Sequence, residues 1–109
     1  MRRFLPYALG VTAIWLVSSM ERPPIPEPLI FWNSDKLMHA CAYAVLAWLA
    51  WLGVKKRDAA WLMAAGYGIV DELHQSFVAG RSSSVGDVAA DFVGAGLGAV
   101  LAVAVASRR

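Results

Sequence analysis

The chain has 109 residues, of which 59% are hydrophobic and 17% charged, with a formal net charge of +2. Soluble domains carry about 45–50% apolar and about 25% charged residues, and a chain this short buries too little surface to hide the excess. Disorder is excluded by the apolar content, a nucleic-acid partner by the slight charge, and a disulfide framework or multi-cysteine zinc site by the single Cys41.

Four apolar runs follow in chain order: 4–20, 37–54, 59–78 and 85–106. Each approaches the 17–25 residues a helix needs to cross about 30 Å of hydrocarbon. A helix satisfies its own backbone polar groups in lipid, and no segment alternates as a barrel strand would. The reading is an all-α integral membrane protein, a four-helix transmembrane bundle forming a single domain over 1–109. Arg2 and Arg3 before the first run resemble a signal peptide, but Val17-Ser18-Ser19-Met20 is a poor cleavage site. An uncleaved anchor is expected.

The linkers are short. Glu21 to Ser34 holds four of the five prolines, which predicts an extended surface segment. Lys55-Lys56-Arg57-Asp58 predicts a tight basic turn, and 79–84 a polar loop around Gly80-Arg81. Four spans put both termini and this turn on one side, with Arg2, Arg3, Lys55, Lys56, Arg57, Arg108 and Arg109. The opposite side holds only Arg22, Lys36 and Arg81. By the positive-inside rule both termini face the cytoplasm.

The acids sort the other way. Asp35, Asp71, Glu72, Asp87 and Asp91 all fall near the outer ends of spans two, three and four, at the level of His39 and His74. Asp35, His39 and Tyr43 follow at i, i+4, i+8; Asp71 and Gln75, and Asp87 and Asp91, are i, i+4 pairs. Such residues share a helix face. At a rise of 1.5 Å per residue, His39 and Asp91 lie about 6 Å below the first acid of their own helices. Three helices therefore deliver polar groups to one shallow pocket open to the outside, with Arg81 at its mouth. Intramembrane ionisable groups are functional by default.

Plainer readings stand beside this one. Asp35 and Asp87 fit first-turn acids favoured by the helix dipole, with Ser34 as a cap. His39 fits a satisfied packing histidine. Glu72, His74 and Gln75 become interfacial if the third span ends near Val70. Gly94 and Gly98 form a GxxxG pair, and Gly66 and Gly68 punctuate span three. These small faces predict close helix packing and allow a homo-oligomer.

Asp35-Lys36-Leu37-Met38-His39, then Tyr43 and Leu46, resembles the D-K-x-x-H-x-x-x-Y-x-x-L signature of VanZ-like membrane proteins. Asp71-Glu72-Leu73-His74-Gln75-Ser76-Phe77, then Gly80-Arg81 and Asp87, resembles that family's second block, D-E-x-x-Q-x-F…G-R…D. The family usually has Asn where this chain has Asp91, which adds a carboxylate. The resemblance implies a small helical protein of the bacterial cytoplasmic (inner) membrane. The family's name-giving member is associated with low-level resistance to teicoplanin, a glycopeptide that engages envelope precursors.

Two functions compete. One is a metal-assisted hydrolase or phosphatase acting on an anionic membrane lipid or lipid-linked envelope precursor. Its catalytic set is Glu72, Asp87 and His39, its substrate-binding set Lys36, Arg81, Gln75, Tyr43, Asp35 and Asp71. A divalent metal has donors in His39, Glu72, His74, Asp87 and Asp91, and arginine suits a phosphate bidentately. The other is a non-catalytic lipid or envelope-ligand binding module linked to glycopeptide tolerance. Ion translocation is disfavoured, because no acid lies deeper toward the cytoplasm. Five grouped carboxylates facing Arg81 and Lys36 predict a bound cation or shared protons.

Overall fold

The computed structural model describes residues 2–19, 34–77 and 85–108, and among them every regular element is helical. A 3₁₀ turn, Arg2–Phe4, leads into α1, Leu5–Ser18; then follow α2, Ser34–Val54, α3, Arg57–Gln75, and α4, Val85–Ala106. Local chemistry sets these bounds. Pro6 stands in the first turn of α1, where no helical donor is lost. Ser19 closes α1 by donating both its backbone N–H and its hydroxyl to the Trp15 carbonyl. Between α2 and α3, Lys55 takes a left-handed φ of 58° and its N–H reaches Trp51 O at 2.8 Å. Lys56 is extended, and Asp58 sits in the first turn of α3, where the helix dipole favours an acid.

Five bounds differ from the sequence reading, two of them slightly: α1 opens at Leu5 instead of 4, and α3 at Arg57 instead of 59. α2 opens at Ser34, three residues before the apolar run. α3 stops at Gln75, three residues short of 78, where Ser76 bonds back to Glu72 O and Leu73 O. Phe77, just past that end, is 88% exposed. The helix nevertheless continues well beyond Val70, so Asp71, Glu72 and Gln75 are buried helix residues and not an interfacial tail. α1 ends at Ser18; Met20 lies outside the described residues.

Two helices are long and apolar enough to cross a membrane, α2 through Leu37–Val54 and α4 through Gly86–Ala106. α1, with 14 residues, reaches about 21 Å, and α3 is less apolar because of its charged ends. Side-chain size is distributed the opposite way from a soluble protein. The interior is built from Ala47, Ala50, Ala60, Ala64, Ala95 and Ala99, with Tyr43 and Leu46 the large exceptions. Leu9, Leu16, Leu62, Leu73, Leu97 and Leu101 face outward. An exterior of leucines around an alanine interior calls for apolar surroundings, as a membrane protein has.

α2 packs most extensively on α4. A Cβ on Gly94 would be driven into the Ala40 carbonyl, and one on Gly98 into that of Ala44. Two i, i+4 stripes of small residues thus meet backbone to backbone, and the GxxxG face is occupied inside the chain. On the other side of α4, Trp61 donates its indole N–H to Phe92 O at 3.0 Å and lies over Gly96. α1 is tied to α3 by two tyrosines: Tyr7 donates to Met63 O at 2.9 Å, and Tyr67 to Val11 O at 3.4 Å.

Candidate functional site

The polar residues of α2, α3 and α4 meet where the N-terminal halves of α2 and α4 pass the C-terminal turn of α3. Their i, i+4 spacing turns them inward together. Tyr43, Asp71, Glu72, Gln75, Asp87 and Asp91 are all buried, and His39 is half-buried.

Two cross-helix bonds organise them. His39 donates from Nδ1 to Asp91 Oδ1 at 2.8 Å, joining α2 to α4. Tyr43, one turn further along α2, donates its hydroxyl to Asp71 Oδ2 on α3 at 3.1 Å. The Tyr43 ring stacks on Tyr67, with centroids 6.4 Å apart. Asp91 fits because α3 offers no side chain at Gly68, where a Cβ would lie 3.0 Å from Asp91 Cβ and 3.1 Å from Oδ2.

Ligand atoms of His39, Glu72 and Asp91 lie within 4.8 Å of one another. Asp87 and Glu72 are both close enough to act electrostatically on His39. Asp71 and Asp91 are only 1% and 0% exposed, and their Oδ1 and Oδ2 respectively meet no donor among the described residues. All described arginines and the lysines Lys55 and Lys56 belong to the opposite end of the bundle, so buried carboxylates here outnumber the described cationic groups. A carboxylate in such surroundings is costly without a compensating charge or proton.

Of the five metal donors expected from sequence, the structure gathers His39, Glu72 and Asp91. Asp87 is buried close by on the same face of α4 as Asp91. His74 stands apart. Its ring stacks on Trp15 at 3.8 Å, and its Nε2 lies 3.4 Å from Ser19 Oγ, so it faces α1. Of the substrate-binding set, Tyr43, Asp71 and Gln75 line the buried cluster. Asp35 and Lys36 occupy the first turn of α2, but their side chains, like Arg81 at the expected pocket mouth, lie outside the described residues.

The VanZ/LLP1 family model matches residues 4–106. The chain belongs to the VanZ/LLP1 family. No match was found among curated proteins or solved structures. The match covers all four helices of this VanZ/LLP1 chain, so the polar cluster lies within the family domain. Sequence reasoning missed Tyr67, whose ring supports Tyr43, and the specific task of Gly68. A signal for Gly68 existed: it lies three residues before Asp71, hence on the same face of α3.

Proposed function

We propose that this VanZ/LLP1 protein is a multi-pass protein of the bacterial inner membrane that hydrolyses a phosphate ester on an anionic lipid or lipid-linked envelope intermediate. The observation that carries this reading is the convergence of His39, Glu72 and Asp91, from three helices, at one end of the bundle. The cation distribution of the sequence supports four spans with both termini cytoplasmic, which puts that end on the outer side. External labelling tests the topology. A Lys56→Cys variant in intact cells stays unlabelled by a membrane-impermeant thiol reagent if the basic turn is cytoplasmic, and strong labelling refutes the topology.

The chemistry needs a water made nucleophilic beside a phosphorus whose oxygens are held by cations. Water is polarised within the His39, Glu72 and Asp91 group, with Asp87 alongside to take its proton and return it to the alcohol oxygen that departs as the ester P–O bond breaks. Lys36 and Arg81 neutralise the phosphate oxygens, Arg81 through its planar fork. Asp71, held by Tyr43, fixes the floor of the pocket. The test is phosphate release from a lipid-linked phosphate ester in proteoliposomes. Glu72→Gln and Asp87→Asn should abolish release while substrate lipid still binds, and Arg81→Ala should weaken binding, with partial rescue by Arg81→Lys.

The second reading is a non-catalytic binding module for an envelope ligand, connected to glycopeptide tolerance. The depth of Asp71 and Asp91 favours it, since groups so enclosed also serve to lock helices together. Lipid binding by the wild-type protein without any phosphate release decides for this module.

A further inference from the structure

We propose that His39, Glu72 and Asp91 form a three-ligand site for a first-row divalent cation of the zinc class. One imidazole nitrogen and two carboxylate oxygens already stand within 4.8 Å of one another, each supplied by a different helix. The inference deepens the hydrolytic reading by naming what polarises the water.

Four observations carry it. The first is spacing. Bonds of about 2.0–2.2 Å from a metal to N and O place neighbouring ligands roughly 3.0–3.5 Å apart. His39 Nδ1 and Asp91 Oδ1 are 2.8 Å apart, close to an edge of such a shell, and Glu72 closes the triangle within 4.8 Å. Side-chain shifts of about 1–2 Å, within rotamer reach, bring separations of up to 4.8 Å down to that shell.

The second is an unused oxygen. Asp91 is fully buried, and while Oδ1 meets His39, its Oδ2 finds no donor among the described residues. A buried carboxylate oxygen left in this way costs free energy that a cation removes.

The third is charge. Asp71, Glu72, Asp87 and Asp91 are all buried in this one cluster, and a bound cation offsets part of their mutual repulsion. The fourth is room. Gly68 lacks the side chain that would crowd the Asp91 carboxylate. The two helices bearing His39 and Asp91 touch through glycine and carbonyl, so the pair is held on rigid elements as a pre-organised site requires.

Ligand type selects the ion. An imidazole ligand suits zinc and its first-row neighbours, whereas Mg²⁺ takes oxygen ligands and keeps several waters. Three protein ligands leave a position for water or a phosphate oxygen, the pattern of catalytic rather than structural zinc. On binding, the Nδ1 proton of His39 shifts to Nε2, freeing the Nδ1 lone pair; no electron is transferred.

The test uses the full chain, purified in detergent micelles and stripped of metal, titrated with Zn²⁺, Co²⁺ and Mg²⁺. One equivalent of Zn²⁺ binds, and Mg²⁺ binds at least 100-fold more weakly. Glu72→Gln and Asp91→Asn each weaken Zn²⁺ at least tenfold, while His74→Ala binds as wild type does. His39→Gln changes the Co²⁺ absorption spectrum through loss of its nitrogen ligand. Zn²⁺ also raises the melting temperature of the wild-type protein, as a ligand of the folded state must, which keeps the test decisive if Asp91→Asn does not fold. Absence of Zn²⁺ binding, equal affinity for Mg²⁺, or unchanged affinity in Glu72→Gln overturns the site. Zn²⁺ binding without phosphate release refutes hydrolysis and leaves the metal site standing. Phosphate release that persists in chelator, with no Zn²⁺ bound, does the reverse.

Discussion

Gly68 on α3 lies directly against the carboxylate of Asp91 on α4, so that a Cβ at position 68 would approach Oδ2 to 3.1 Å. The absence of one methyl group on α3 is what lets a fully buried acid on α4 turn toward His39 on α2. Three helices are thereby coupled through a single position.

Gly68→Ala should therefore act on the site at a distance of one helix. The added methyl displaces Asp91 by a few tenths of an ångström and lengthens its bond to His39, costing about 1–3 kcal/mol by overpacking. Gly66→Ala is the matched control, because nothing lies within 4 Å of the Cβ it would gain. It should stabilise by about 0.5–1 kcal/mol through helix propensity. Denaturation in mixed micelles compares the two, and equal effects from both contradict the packing argument.

Gly94→Ala and Gly98→Ala should be more damaging than any other Gly→Ala change in α4. Their new methyl groups meet the Ala40 and Ala44 carbonyls, which are backbone and cannot rotate aside. The loss should lie at or above the top of the ~1–3 kcal/mol range for overpacking. Gly96→Ala, whose Cβ would meet the movable ring of Trp61 at 3.4 Å, should cost well under half as much. Monodispersity on size exclusion and the denaturation midpoint give the ranking.

Tyr43→Phe removes the hydroxyl donor to Asp71 and keeps the ring on Tyr67. Asp71 then loses its described partner at 1% exposure, and hydrogen bonds to charged groups are worth about 1.5–3 kcal/mol. The variant should lose about that much stability. The double variant Tyr43→Phe with Asp71→Asn should recover part of it, and strict additivity of the two changes excludes the coupling.

Lys55 holds a left-handed backbone that L-residues other than Gly, Asn and Asp adopt at a cost of about 1–2 kcal/mol. Lys55→Gly relieves this but surrenders the ammonium's position over the Trp51 ring, 4.3 Å from its centroid, worth about 0.5–1 kcal/mol at an exposed site. The expected net gain is small, under about 1 kcal/mol. Lys55→Val, β-branched in the same conformation, should destabilise by about 1 kcal/mol or more, as thermal melting will show.

The helices were legible because apolar runs broken by prolines or basic residues leave few places for ends. α4 matches its predicted span at both bounds, whereas α3 begins two residues early and stops three short, where Ser76 closes the helix before the apolar run ends. The inward face of the site was legible from i, i+4 spacing alone. His74 stands apart from the cluster for a reason visible in the same geometry. At about 100° per residue, it falls on the far side of Asp71 from Glu72, toward α1. The pairing of His39 with Asp91, and of Tyr43 with Asp71, depends on how far each helix is rotated and offset against its neighbours. Periodicity within one helix carries no such information. The GxxxG stripe was visible, but its partner, the Ala40 and Ala44 stripe, is recognisable only once α2 and α4 are laid together.

The glycine–carbonyl contact between α2 and α4 sits immediately beside the polar pair it supports: Ala40 follows His39, and Gly94 is one turn from Asp91. No flexible side chain intervenes, so the contact works as a mechanical stop. The relative height of His39 and Asp91 is thus set by main-chain atoms as well as by the hydrogen bond between them.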